Sequence, residues 1–143
     1  LANGGVKQPL TLLRKSSEKG ERVMSEKIAS QVIKMLETVV GSKGTARRAK
    51  VDGYTVAGKT GTVHKVGRSG YEEESYLSLF AGIAPSTNPK IVTIVVIDDP
   101  SGREYYGGEV AAPIFSRVTQ ASLRLLNIPP THYDDSTVAK VGP

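Results

Sequence analysis

Cysteine and tryptophan are both missing from the 143 residues. Without cysteine there is no disulfide scaffold, no thiol nucleophile and no thiolate metal site. Aromatics of every kind are scarce at 6%, two Phe and six Tyr. Long hydrophobic runs are missing too. The longest, Ile91 to Ile97, falls far short of the ~20 residues a membrane-spanning helix needs. Acidic residues are fewer than basic ones, 14 against 19, for a net charge of +5. That balance suits an anionic ligand or surface. The basic residues are scattered, however, at Arg14-Lys15, Lys43, Arg47-Arg48, Lys50, Lys59, Lys65 and Arg68. No basic helix is interleaved with stacking aromatics, so no nucleic-acid partner is expected. An initiator Met is also missing: the chain opens Leu1-Ala2-Asn3-Gly4-Gly5, which raises the expectation of a piece of a larger protein.

What remains has the composition of a globular domain, 38% hydrophobic and 23% charged, at a length of the usual ~100–200 residues. Residues 1–24 are turn-rich. Ser25 is an N-cap candidate with Glu26 in the first turn. Ile28, Val32, Met35, Leu36 and Val39 recur at helical spacing, and Gly41 is a plausible stop. A polar basic loop follows, from Ser42 to Asp52. Tyr54–His64 reads as a strand, Val66–Glu74 as a hairpin loop, and Tyr76–Ala84 as a second strand. Ile91–Ile97 is almost wholly apolar, as a central strand covered on both faces would be. Ala111, Ile114, Phe115, Val118, Ala121 and Leu125 mark a second helix, with Pro113 in its first turn and Asn127 and Pro129-Pro130 ending it. From Thr131 the chain is a polar tail. The predicted class is α+β: a three-stranded antiparallel meander flanked by helices.

Chemistry concentrates in Gly58-Lys59-Thr60-Gly61-Thr62. Gly53 to Thr60 spells the phosphate-loop pattern GxxxxGK[ST], which requires a buried strand before its first Gly and a helix opening at its Lys. Arg47 to Asp52 is no strand, and Thr60-Gly61-Thr62-Val63 are poor helix formers, so the match is formal. The other reading takes Lys59-Thr60-Gly61 as the KTG box of penicillin-binding proteins and serine β-lactamases. Period two puts the Thr60 and Thr62 hydroxyls on one face, able to hold a carboxylate. Lys59 adds a cationic charge on a long stem. Gly61 permits close backbone approach. A ligand lying along the strand edge gains main-chain hydrogen bonds, and a Thr62 N–H can serve as an oxyanion donor.

The neighbouring motifs strengthen that reading. Ala2-Asn3-Gly4-Gly5 with Pro9-Leu10, Gly20-Glu21-Arg22-Val23, Gly58–Thr62, Phe80-Ala81-Gly82-Ile83-Ala84-Pro85, Val95 to Pro100, Tyr105-Tyr106-Gly107-Gly108 and Ala112-Pro113-Ile114-Phe115 occur in order. Together, over residues 1 to about 130, they resemble the C-terminal part of the transpeptidase domain of class B penicillin-binding proteins, nearest the septal type, penicillin-binding protein 3. The resemblance implies the β-lactamase/transpeptidase-like fold and a serine peptidoglycan D,D-transpeptidase inhibited by β-lactams, with no metal or organic cofactor. It implies that Thr60 and Thr62 bind the substrate or drug carboxylate, that Lys59 belongs to the catalytic KTG box, and that the Thr62 amide lines the oxyanion hole. Tyr76, Tyr105 and Tyr106 look like an aromatic wall beside the pocket, although sheet and loop packing is the competing role. His64 is a rim residue or an ordinary surface histidine. The implied location is the periplasmic face of the bacterial inner membrane, on an N-terminal anchor not in this chain. The implied partners are stem peptides, β-lactams, the upstream part of the same domain and division-complex membrane proteins.

The chain departs from the family pattern at the nucleophile. Ser16-Ser17-Glu18-Lys19 spells SxxK but lies in a polar, Gly-terminated stretch rather than at a helix start. Ser86-Thr87-Asn88 spells SxN but falls after KTG, in a Pro85–Pro89 turn. The catalytic serine is therefore expected outside these residues, and the fragment alone is expected to be inactive. A non-catalytic module binding peptide or β-lactam, or a D,D-carboxypeptidase or β-lactamase relative, are the alternatives. Asp98-Asp99 point oppositely on a strand end and make no metal site, and His132 has no role.

Overall fold

The computed structural model describes residues 1–9, 19–67 and 70–131, and the following account concerns these. The expected α+β architecture is present. Strands β1 (Val6–Lys7) and β2 (Glu21–Arg22) form a small antiparallel ladder within the segment read as turns. Helix α1 spans Glu26–Glu37, and the Ser25 hydroxyl accepts a hydrogen bond from the Ile28 N–H as its N-cap. A 3₁₀ turn at Arg47–Ala49 interrupts the polar loop. The main sheet then follows as β3 (Ala57–Gly67), β4 (Gly70–Ala84) and β5 (Ile91–Asp98), antiparallel in that order. A one-turn helix α2 (Gly107–Val110) leads into α3 (Ala112–Leu125).

Four expectations are corrected. Helix α1 stops at Glu37, short of Gly41, because Thr38 caps it and its hydroxyl donates back to the Met35 carbonyl at 2.7 Å. Strand β3 begins at Ala57, since Val51–Tyr54 closes a turn through Gly53, with its φ of 80°. Among the described residues the stretch read as a hairpin loop, Val66–Glu74, is strand: β3 continues to Gly67 and β4 starts at Gly70, pairing Val66 with Tyr71 and Gly67 with Gly70 past a bulge at Lys65. There the two strands overhang β5, whose pairing reaches only Leu77. Val63, His64 and Val66 are exposed where the ribbon leaves β5, so this part of the strand has no core that would demand apolar alternation. Finally, β5 is an edge strand among the described residues. Its Val92, Ile94 and Val96 are 57%, 65% and 55% exposed, so only one of its faces is covered.

Alternation divides the sheet into two sides. Thr60, Phe80 and Val95 share one register row, and Lys59, Ala81 and Ile94 the next, pointing the other way. On the first side Phe80 meets Phe115 of α3 edge-on, at 4.7 Å between ring centroids. Both rings are fully buried, with Ala111, Ala112 and Leu123 beside them. Gly82 makes this possible, because a Cβ there would lie 2.5 Å from the Phe115 ring. On the second side α1 lies against β3, bringing Leu36 beside Ala57, Lys59, Ala81 and Ile83 around a cavity of about 440 Å³.

One buried polar contact ties the end of α1 to the turn after β4. Ser86, 4% exposed, donates to the Glu37 carboxylate at 2.5 Å, and its N–H donates to the Thr55 carbonyl. Hydrogen bonds to charged groups contribute more than neutral ones. Ser86→Ala is expected to lower stability by about 1–2 kcal/mol in urea unfolding. An unchanged midpoint would remove this tie from the account of the fold.

Candidate functional site

Strand β3 forms where Val, Thr and His favour extended backbone, and it is the other edge of the three-stranded sheet. Its Thr60 and Thr62 open into a cavity of about 770 Å³. Thr62 Oγ1 accepts a hydrogen bond from the Gly107 N–H at 3.1 Å, which leaves the hydroxyl proton free to donate. Thr60 Oγ1 lies 3.5 Å from Thr45 Oγ1. The Lys59 side chain starts from the opposite side of the strand and curls around it. Its Nζ donates to the Thr60 carbonyl at 2.8 Å and to Thr60 Oγ1 at 3.3 Å. Two hydroxyls, with an ammonium at their margin, make a donor set suited to a carboxylate.

The opposite wall comes from Tyr106 and α2. Gly107 and Gly108 are buried against backbone. A Cβ on Gly107 would lie 2.3 Å from the Leu79 carbonyl oxygen and 2.6 Å from that of Gly61, and one on Gly108 2.0 Å from that of Thr45. Gly61 itself faces the Leu79 side chain, 2.6 Å from its own absent Cβ, so the close backbone approach expected there occurs instead at Gly107. The preceding residue pair is anchored by Ser78, whose buried hydroxyl donates to the Tyr105 carbonyl.

From Tyr106 a row of rings runs outward. Tyr105 and Tyr106 lie 4.5 Å apart, Tyr76 stacks on Tyr105 at 4.1 Å, and His64 leans on Tyr76 at 4.5 Å. Only Tyr106 of the four lines the cavity. Tyr105 Oη and Tyr106 Oη share a hydrogen bond at 3.2 Å. Sharing that bond, followed by repulsion from Tyr105, desolvation and Glu104, raises the Tyr106 ionisation above the ordinary phenol value of 10.0. Tyr106 is therefore a neutral hydroxyl at any physiological pH.

The structure thus gathers Thr60, Thr62 and Tyr106 at one cavity, sets Lys59 at its edge and Gly61 beneath α2, and leaves Tyr105, Tyr76 and His64 as a stack leading away. Sequence reasoning missed Thr45, Arg47 and Arg48, which also line the cavity. Their signal was the pair Ala46 and Ala49, both wholly buried and three residues apart, the period of a 3₁₀ turn. The phosphate-loop reading is excluded, since backbone stays extended through Lys59 and beyond. Ser86 is buried, bonded to Glu37, and lines a different cavity from Thr60 and Thr62, while the SxxK-like serines and His132 lie outside the described residues. Asp98 and Asp99 do not point oppositely as strand alternation predicts: β5 ends at Asp98, Asp99 takes a left-handed backbone with φ 55°, and both carboxylates reach Lys65, at 2.9 and 3.8 Å, bracing the overhanging ribbon against β5. Among the described residues no three His, Asp or Glu side chains gather around a metal position.

Comparison with known proteins identifies relatives. The family described as penicillin binding protein transpeptidase domain matches residues 1–120. A probable peptidoglycan D,D-transpeptidase PbpC of Pseudomonas aeruginosa is 46% identical over 94% of this chain and 24% of its own length. The peptidoglycan D,D-transpeptidase FtsI of Escherichia coli is 39% identical over 88% of this chain and 22% of its own. Among solved structures, the transpeptidase domain of Burkholderia pseudomallei penicillin-binding protein 3 superposes with a TM-score of 0.83 at 39% identity, covering 92% of this chain and 41% of that one. The chain spans about a quarter of the length of the curated relatives it matches.

Two outcomes follow from this geometry. Gly107→Ala forces α2 away from backbone oxygens that cannot yield, so unfolding should show a loss of about 1–3 kcal/mol. A loss near zero would contradict the tight seat. Tyr105→Phe removes the first cause of the raised Tyr106 ionisation, and ultraviolet titration should show that phenol ionising at lower pH than in the parent. No movement would mean the shared bond is not its cause.

Proposed function

This chain belongs to the penicillin-binding protein transpeptidase family, and we propose that it is the KTG-bearing segment of a septal-type serine peptidoglycan D,D-transpeptidase. In this proposal residues 1–130 are the segment and 131–143 its polar tail, whose first residue, Thr131, is tied back to Gly53 and Thr55. The observation that carries the reading is the pair of hydroxyls on β3, Thr62 oriented by the Gly107 N–H and Thr60 capped by Lys59. In the proposed reaction a serine from the upstream part of the domain attacks the penultimate D-Ala carbonyl of a stem peptide. The C–N bond to the terminal D-Ala breaks, that amine takes a proton and leaves, and the acyl group stays on the serine. An amine from a second strand then displaces the serine and forms the cross-link. A β-lactam acylates the same serine by opening its ring.

In this scheme Thr60 and Thr62 hold the terminal carboxylate through neutral donors. The Lys59 charge favours the anionic ligand, and the Thr62 amide donates to the oxyanion that forms on attack. Tyr106 closes the side of the pocket, with Tyr105 and Tyr76 stacked behind it and His64 at the outer rim. The uncovered side of β5 is the surface on which the upstream part of the domain packs, since Val92, Ile94 and Val96 form an apolar row. No helix among the described residues is long and apolar enough to cross a membrane. The proposed location, the periplasmic face of the inner membrane, relies on an upstream anchor, and division-complex membrane proteins are the proposed partners.

Labelled penicillin tests the scheme. The 143-residue chain should form no covalent adduct, the protein completed at its N-terminal side should, and Lys59→Ala in the completed protein should acylate about 10²-fold or more slowly. Adduct on the isolated chain would place the nucleophile within it. Near-normal acylation of Lys59→Ala would refute the role given to that lysine, and an inert completed protein would favour a binding module.

A further inference from the structure

Helix α2 has four residues, too few to persist by its own hydrogen bonds, so its position depends on ties to other elements. The buried glycines permit the close seat on β3 without enforcing it. One tie is the Ser78 hydroxyl on the Tyr105 carbonyl, just before the helix. Another spans 61 residues: Arg48 Nη1 lies 3.1 Å from the Glu109 carboxylate and 3.4 Å from the Glu109 carbonyl oxygen. The Arg48 end is the fixed one. Its 3₁₀ turn is rooted by Ala46 and Ala49, both wholly buried, and by the Ser116 hydroxyl donating to the Lys50 carbonyl. The Glu109 end belongs to the helix whose first N–H holds Thr62.

We propose that Arg48 and Glu109 are positioning residues for ligand capture. They form a clasp from the 3₁₀ turn to α2 that keeps the Gly107 N–H on Thr62 Oγ1, and so keeps the Thr62 proton turned to the cavity. The inference rests on the carboxylate-binding role proposed above for Thr62. A planar guanidinium reaches carboxylate and carbonyl together, which an ammonium on a flexible stem does with less geometric control. When the clasp is broken, α2 visits positions in which Gly107 leaves Thr62 and the hydroxyl rotates away. The effect falls on the initial capture of a carboxylate-bearing ligand more than on the bond-making step, because the nucleophile is elsewhere.

The test uses the completed protein, with Glu109→Gln and the charge-exchanged pair Arg48→Glu with Glu109→Arg. Two measurements are made: hydrogen exchange of the segment containing Gly107, and acylation by a labelled penicillin over a range of concentrations. Glu109→Gln should speed exchange at Gly107 and raise the half-saturating penicillin concentration about two- to fivefold, as for a half-exposed ion pair, with the limiting rate changed by less than about twofold. The exchanged pair should recover most of both effects. Unchanged exchange in Glu109→Gln, or a fall in limiting rate with no change in half-saturation, would overturn the clasp. If the parent protein takes no penicillin, the transpeptidase reading fails, and the exchange measurement still decides whether Arg48 and Glu109 hold Gly107.

Discussion

Gly107 and Gly108 occupy positions where backbone meets backbone, with the carbonyl oxygens of Leu79, Gly61 and Thr45 inside the space any side chain would fill. From that contact the rest of the site follows. Because α2 can touch β3, its N–H reaches Thr62. Because it touches β4 as well, Tyr106 just before it is delivered to the cavity edge, with the Tyr105 carbonyl pinned by Ser78. Because it also meets the loop at Thr45, the hydroxyl of that loop comes within 3.5 Å of Thr60. The polar groups around the cavity come from residues far apart in sequence, brought together by a seat that tolerates no added atom.

The sheet beneath is built to the same tolerance. Gly58 and Gly82 leave room for Phe80 and Phe115 to meet edge-on, and that fully buried pair fixes α3 against β4. With α3 fixed, the C-terminal end of α2 is tethered to it, while the Gly107 end still relies on the ties from Ser78 and Arg48. The stiffness of the core is therefore passed to α2 through the chain itself, and to the 3₁₀ turn through Ser116. The overhanging ribbon is held differently, by exposed ion pairs from Lys65 to Asp98 and Asp99, which contribute little individually. Burial thus falls from the Phe80 region outward, and the ring stack from Tyr106 to His64 runs toward the exposed end of the ribbon.

What the sequence disclosed follows from how local each cause is. Helix α3 was legible because its apolar spacing, Pro113 and Asn127 all act within a few residues. The placing of Lys59-Thr60-Gly61-Thr62 on a strand was legible for the same reason, as was the shared face of Thr60 and Thr62. The end of α1 was misread because Gly41 was available as a stop and the Thr38 cap acts first. The ribbon was misread because polarity marks a loop only where a strand has a core to face. For β5, an apolar run suggested cover on both sides, and the second side lies open among the described residues. At the site, α2 was invisible because its glycines carry no periodic signal, and the Arg47-Arg48 wall was missed because two alanines three residues apart, Ala46 and Ala49, are too slight a pattern to stand out in a polar loop. Their placement depends on contacts across 45 residues or more.

The distribution of charge around the cavity separates two tasks. The groups nearest the strand are neutral hydroxyls, Thr60 and Thr62 with Thr45 behind, while the charges of Lys59 and Arg47 and the Arg48–Glu109 ion pair stand at the margin and stay in contact with water. A buried guanidinium would bind a carboxylate strongly but would lose its hydration whenever the site was empty. Hydroxyls avoid that penalty and, once oriented by a backbone N–H, donate along a fixed direction. If the cavity takes a carboxylate as proposed above, the marginal cations would act at longer range, raising the local concentration of the anion without having to touch it. On this division salt should weaken the approach of the ligand more than its final hold, because exposed charges are screened over about 8–10 Å and hydroxyl contacts are not.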